Sequence, residues 1–148
     1  MGNNPHWVHT RKVEFSETDM AGIVHFSNFY RWMEAAEVEW FESLGHTMIT
    51  TIGNSAHGWP RVRTHCDFHA PACFRDQIEV RLAVKELKIR AIEYRFHFYR
   101  KSPGKETHLA TGGMTTVFAR RDPTTGEMAS ATIPESLVSA INALLGEA

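Results

Sequence analysis

The chain has 148 residues, enough for one domain with a buried core. Hydrophobic residues make up 43% and charged residues 22%, the balance of a globular protein rather than a disordered or fibrous one. The formal net charge of −1 leaves no basic footprint for nucleic acid, and no apolar run approaches the ~20 residues that span a bilayer.

Residues 1–6 lack the apolar stretch of a signal peptide, and His6 stands where a myristoylation site after Met1-Gly2 wants Ser or Thr. Residues 7–16 alternate loosely, with Val13 and Phe15 on one face and Lys12, Glu14 and Ser16 on the other, which predicts a strand. Residues 17–26 form a turn-rich connection. A helix is predicted over residues 27–44, where Phe29, Met33, Ala36, Trp40 and Leu44 recur at spacings of three and four as one apolar stripe. Ser27 suits its N-cap and Gly45 its C′ position; Glu34, Glu37, Glu39 and Glu42 fall largely off the stripe.

Gly53, Gly58 and Pro60 predict an irregular segment over 46–60, with a helical turn at 48–52. Strands follow at 61–70, 76–87 and 90–101, the last two alternating cleanly through Ile78, Val80, Leu82 and Val84 and through Ile92, Tyr94, Phe96 and Phe98. A turn at 102–105, a strand at 107–120 and a turn at 122–126 come next. Ile133-Pro134-Glu135 opens a last short helix, with Pro134 suited to its first turn. This order is α+β: a curved antiparallel sheet must cover one long apolar helix. The expectation is a single domain over residues 1–148. Cys66 and Cys73 make no disulfide framework, so a reducing cytoplasm is the expected location.

The run Glu17-Thr18-Asp19-Met20-Ala21-Gly22-Ile23-Val24-His25-Phe26-Ser27-Asn28-Phe29-Tyr30 carries the chemistry. It places the Asp19 carboxylate beside the N-terminus of a helix, where free backbone N–H groups and the positive end of the dipole favour developing negative charge. That pairing suits attack on an activated carbonyl. Gly22 is a turn glycine that also permits close approach of a ligand. His25 is a second polar group, a hydrogen-bond donor or proton shuttle six residues after Asp19. Read alone, Asp19 is also a turn residue bonding nearby backbone, and His25 a solvated one.

The same run resembles the signature of the 4-hydroxybenzoyl-CoA thioesterase-like, hot-dog-fold acyl-CoA thioesterases, and the match extends through Arg31-Trp32-Met33-Glu34-Ala35-Ala36. Cys66-Asp67-Phe68-His69-Ala70-Pro71-Ala72 and Phe74-Arg75-Asp76-Gln77-Ile78-Glu79-Val80 are similar to the family's second strand and the turn after it. The resemblance implies a hot-dog fold, a curved antiparallel sheet wrapped around one long central helix. It implies hydrolysis of an acyl- or aryl-CoA thioester, with Asp19 as nucleophile or general base. The N–H near Phe26 and Ser27 would hold the oxyanion, and His25 would line the site.

Phe29 and Trp59 are expected to line the acyl pocket. Lys88 and Arg90, in a turn with Lys85, are candidates for the phosphates of coenzyme A. Arg61 and Arg63 are weaker ones. His65, Asp67 and His69 alternate on one strand face and have metal-ligand character. The resemblance makes them a polar strand face instead, so no metal and no cofactor is expected. Similar thioesterases pair their sheets edge to edge, which implies a homodimer or homotetramer with the site at the subunit interface. An acyl carrier protein thioester could replace the coenzyme A thioester. The rivals are an enoyl thioester hydratase of the same fold, whose usual Asn-Pro and five-residue Asp-to-His offset are missing here, and a non-catalytic acyl-CoA-binding protein.

Overall fold

The computed structural model describes residues 4–146. Residues 1–3, where the run read for a leader or a myristoyl group begins, lie outside them, as do residues 147–148. The chain runs β1 (Trp7–Lys12), α1 (Ser27–Ser43), β2 (Thr50–Ile52), β3 (Ser55–Gly58), β4 (Arg61–Phe68), β5 (Gln77–Leu87), β6 (Ala91–Ser102), β7 (Lys105–Val117), β8 (Ala119–Arg121), β9 (Met128–Ser130) and α2 (Glu135–Gly146). Among the described residues no helix is long and apolar enough to cross a membrane.

Alternation builds the main sheet. Ile78, Val80, Leu82 and Val84 of β5 and Ile92, Tyr94, Phe96 and Phe98 of β6 are buried, and a period of two puts each set on one face. The strands pair antiparallel with Val80 opposite Phe98, Leu82 opposite Phe96 and Val84 opposite Tyr94, so the two sets merge. On β7 small residues answer the aromatics: Ala110 lies opposite Phe98 and Gly112 opposite Phe96. The sheet order is β1-β5-β6-β7-β4, antiparallel throughout, which leaves β4 on an edge.

Helix α1 covers the apolar face with Phe29, Trp32, Met33, Ala36, Trp40 and Phe41. Its approach depends on a missing side chain. A Cβ on Gly112 would lie 2.3 Å from the Met33 methyl, so glycine at this register lets the helix settle onto β7. Leu44 is half-buried at the end of the stripe.

Several elements differ from the sequence expectation. The first strand ends at Lys12. Glu14 and Glu17 then form a reciprocal capping box that winds residues 15–17 into a 3₁₀ turn, and Phe15 faces solvent rather than joining Val13. Residues 48–52 are not helical: β2 and β3 form a hairpin across Gly53-Asn54, with Gly53 at φ 60°. The expected strand at 107–120 breaks at Phe118, where the chain leaves the main sheet and enters a second one, ordered β2-β3-β8-β9. Strand β9 carried no sequence signal. Glu37, expected off the apolar stripe, is fully buried.

Candidate active site

The segment between β1 and α1 folds back on itself. His25 N–H donates to Glu17 O (2.8 Å), Thr18 bridges Val24, and Asp19 N–H donates to Ile23 O (2.8 Å). Asp19 therefore sits at the tip of a small hairpin. Its turn closes through Gly22 N–H to Asp19 O (3.0 Å), with Gly22 at φ 81°. Nothing lies within 4 Å of where a Gly22 Cβ would be, so the requirement for glycine here is conformational rather than spatial. Asp19 Oδ1 accepts the Ala21 N–H at 2.8 Å, and among the described residues Oδ2 has no partner. One oxygen orients the half-buried carboxylate while the other stays free.

The root of the hairpin is pinned by Glu17, which is nearly buried. Its carboxylate accepts from Arg11 (2.8 Å), from Trp32 Nε1 (2.8 Å) and from Glu14 N–H (2.9 Å). The hairpin then runs into α1. Phe26, not Ser27, occupies the N-cap position, with helical dihedrals and no side-chain cap. Ser27 N–H meets His25 Nδ1 (3.3 Å), Asn28 N–H donates to His25 O (3.0 Å) and Phe29 N–H to Phe26 O (3.2 Å). Among the described residues the Phe26 N–H has no partner. It is an unused donor at the positive end of the helix dipole.

Asp19 and Phe26 line one cavity of about 510 Å³ together with Ile23, Val24, Phe29, Phe68, His69, Ala70, Pro71 and Ala72. The walls are mostly apolar. Phe29 is buried and meets the rings of Phe68 and Phe98 edge-on, both at 5.1 Å. The wall at 68–72 is tied to the hairpin by Val24 N–H to Ala72 O (2.8 Å). Arg100 braces it by donating to Pro71 O (2.9 Å) and Asp76 Oδ2 (3.4 Å), and Asp76 in turn accepts the Cys73 N–H (2.8 Å).

The structure brings together only part of the predicted set. Asp19, Phe26 and Phe29 line the cavity, and Gly22 and Ser27 flank it in sequence. The His25 ring lies outside the lining: Nδ1 contacts Ser27 Oγ at 2.7 Å, and the ring packs tilted against Phe26 at 4.6 Å between centroids. Trp59 is elsewhere, buried against Phe41 and Phe118 beside a second cavity of about 270 Å³. Lys88 and Arg90 occupy the β5–β6 turn, where Lys88 lies 3.9 Å from Glu86 and Arg90 donates to Ser130 Oγ (3.3 Å). Neither Lys88 nor Arg90 lines the cavity.

Of the other titratable groups, His69 lines the cavity, while Cys66, Glu37, His65, His97 and His108 do not. Burial pushes the Cys66 thiol up to about 12, with Asp67 adding to the rise, so Cys66 is no thiolate nucleophile at neutral pH. Burial also raises the Glu37 carboxyl to about 7 against the pull of Arg61, 2.5 Å away. The His65 ring fills the space that a Gly113 Cβ would take. His69 joins Thr111 (3.1 Å), and Thr111 joins His108 (3.2 Å), which faces His97 (3.2 Å). Burial lowers the pKa of both His97 and His108. Among the described residues no three or more His, Cys, Asp or Glu side chains are grouped to hold a metal ion.

Sequence reading missed the Phe68–Ala72 wall as a site element. The apolar-polar mix of that segment reads as an ordinary strand end, and only the bridge to Ile23 and Val24 makes it a wall. It also missed the Glu17 root, for which the capping pair Glu14 and Glu17 was the available signal.

The profile of the thioesterase-like superfamily matches residues 13–141. The chain is 29% identical over 101 residues to 4-hydroxybenzoyl-CoA thioesterase of Pseudomonas sp. (strain CBS-3), covering 67% of this chain and 72% of that protein. It is 33% identical over 110 residues to a 1,4-dihydroxy-2-naphthoyl-CoA hydrolase of Parasynechococcus marenigrum (strain WH8102), covering 67% and 70%. Among solved structures, a gentisyl-coenzyme A thioesterase superposes with a TM-score of 0.73 at 29% identity, over 88% of this chain and 98% of that one. With a profile match over most of its length and the same α+β layout, the chain belongs to the thioesterase-like superfamily, as a hot-dog-fold relative of 4-hydroxybenzoyl-CoA thioesterase.

Proposed function

We propose that this chain, as one hot-dog domain, hydrolyses an aroyl-CoA thioester to the free acid and coenzyme A, and that Asp19 starts the reaction. One observation carries the reading: Asp19, with Oδ2 free, and Phe26, with an unused N–H at the start of α1, line the same cavity. A thioester carbonyl lodged there has a donor for its oxygen and a carboxylate for its carbon. As the carbonyl becomes tetrahedral, its oxygen gains negative charge, which the Phe26 N–H and the helix dipole stabilise.

Asp19 serves by one of two routes. As nucleophile, its Oδ2 adds to the carbonyl carbon, the C–S bond breaks, and the thiolate of coenzyme A leaves and is protonated by solvent. Water then cleaves the mixed anhydride and restores the carboxylate. As general base, it takes a proton from the water that adds, and passes it to the departing thiolate. Single turnover in ¹⁸O-water separates the routes, because label enters the Asp19 carboxylate only from an anhydride cleaved at the aspartyl carbonyl. Neither route needs a cofactor.

An aroyl group fits best. Phe26, Phe29 and Phe68 supply aromatic walls, and about 510 Å³ lies in the range of small-molecule pockets, roughly 300–1,000 Å³. The relatives are named for hydroxybenzoyl, dihydroxynaphthoyl and gentisyl thioesters, all aromatic. We assign the working assembly to a homodimer or homotetramer with this cavity at the subunit interface. Phe68, 48% exposed on edge strand β4, lines the cavity and favours that arrangement. Lys88 and Arg90, which do not line the cavity, would then meet coenzyme A in the assembly.

The test is thiol release across aroyl-, alkanoyl- and enoyl-CoA thioesters and an acyl carrier protein thioester. Faster release from aroyl-CoA is expected. Hydration of the enoyl thioester without thiol release would mark a hydratase. Binding without turnover would mark an acyl-CoA-binding protein, and either outcome overturns the reading.

A further inference from the structure

We propose that Asn28 is a positioning residue, fixing the start of α1 against the hairpin that carries Asp19; this rests on the reading of Asp19 and the Phe26 N–H as the reacting pair. Asn28 is the second residue of α1 and is buried. Its side-chain Nδ2 donates to Glu17 O at 2.9 Å and to His25 O at 3.3 Å. Those carbonyls stand on opposite legs of the hairpin, at its root.

Neither carbonyl depends on Asn28's side chain for satisfaction. Glu17 O already accepts the His25 N–H (2.8 Å), and His25 O already accepts the backbone N–H of Asn28 (3.0 Å). The carboxamide therefore adds a third link, joining both legs to the helix at one point. Phe26 lies between His25 and Asn28, and Asp19 lies two residues beyond Glu17. A slip of the start of α1 relative to the root of the hairpin that carries Asp19 stretches one of these two bonds. A misplacement of about 1 Å at a reacting pair can cost on the order of 10²-fold in rate.

The experiment compares Asn28→Ala and Asn28→Asp, each in the wild-type and in the Asp19→Asn background. In the wild-type background Asn28→Ala is expected to lower kcat by about 30- to 100-fold, with KM within about threefold and Tm within about 5 °C. Asn28→Asp keeps the shape but sets a carboxylate against two carbonyl oxygens, and should lower kcat at least as far. In the Asp19→Asn background the added loss should shrink below about threefold, because no charge remains to be aligned.

Amide hydrogen exchange gives a readout independent of activity. The hydrogen-bonded amides of Val24 and His25 should exchange at least about tenfold faster in Asn28→Ala, while β5 and β6 stay unchanged. An unchanged kcat, an equal loss in both backgrounds, a loss confined to KM or to melting, or unchanged exchange overturns the role of Asn28. A wild-type chain that releases no thiol sinks the Asp19 reading instead, and the exchange arm alone then decides for or against Asn28.

Discussion

Asp19, which lines the cavity, has its two carboxylate oxygens in different situations: Oδ1 holds the Ala21 N–H, and Oδ2 has no partner among the described residues. Asp19→Asn keeps the side-chain shape and removes the charge. Thiol release should fall by on the order of 10³-fold or more, while binding of the CoA thioester survives, since the apolar walls remain. Near-normal turnover would reassign the chemistry to another carboxylate. His25→Ala should cost at most about tenfold, because the ring is held outside the lining by Ser27; a loss nearer 10²-fold would mean that the ring swings inward when substrate binds. Glu37 gives a test of stability. Its carboxyl is raised to about 7 by burial, against 4.5 in the unfolded chain. The folded state thus holds the proton more tightly. The stabilisation from this group is complete below pH 4.5 and is lost as pH rises through 7. Glu37→Gln mimics the protonated form, so its stability relative to wild type should climb between pH 4.5 and 8, by on the order of 3 kcal/mol. A difference that stays flat with pH in thermal melts counts against the raised carboxyl. The place of Asp19 on the cavity was legible because its neighbours form a signature. Glu37 was not, because a helical wheel cannot show that Arg61 reaches over from β4 to close the helix's second side.

Helix α1 and strand β7 meet where Met33 lies over Gly112. Gly112→Ala is expected to destabilise by about 1–3 kcal/mol through overpacking, because the buried Met33 methyl has little room to retreat. Shortening the opposing side chain in a Gly112→Ala, Met33→Val double variant should recover part of that loss, and purely additive melting temperatures would argue against the contact. The helix itself was legible from its stripe, as were β5 and β6 from their alternation. The misread elements share a cause. Residues 50–52 and 128–130 make three-residue strands in a small second sheet, too short for a period to register, and the two hairpins of that sheet join only where β3 meets β8, more than sixty residues along the chain. The strand expected over 107–120 is one apolar run shared between two sheets, and the switch at Phe118 depends on its N–H finding Arg90 O (2.8 Å).

At the scale of the whole molecule, β4 is an edge strand with Val62 and Phe68 exposed, and nothing in the described residues pairs its outer side. Sedimentation should show a dimer or tetramer; a compact, fully active species of about 17 kDa would contradict it. The main layer was legible as a class, an antiparallel sheet over α1, while the second sheet and the strand order were not, because β4 joins β7 across more than forty residues of chain. The position of the cavity at the end of that edge has a further consequence in terms of concentration. If a neighbouring copy completes the pocket, each chain's turnover is a property of the population it lives in. Diluting the enzyme should lower the rate per chain, with half-maximal specific activity at the dissociation constant of the assembly. Saturating substrate analogue should shift that midpoint to lower protein concentration, because a ligand held by two copies binds them to each other. An initial rate strictly proportional to enzyme down to the most dilute measurable sample, with sedimentation showing dissociation over the same range, would mean that one chain suffices.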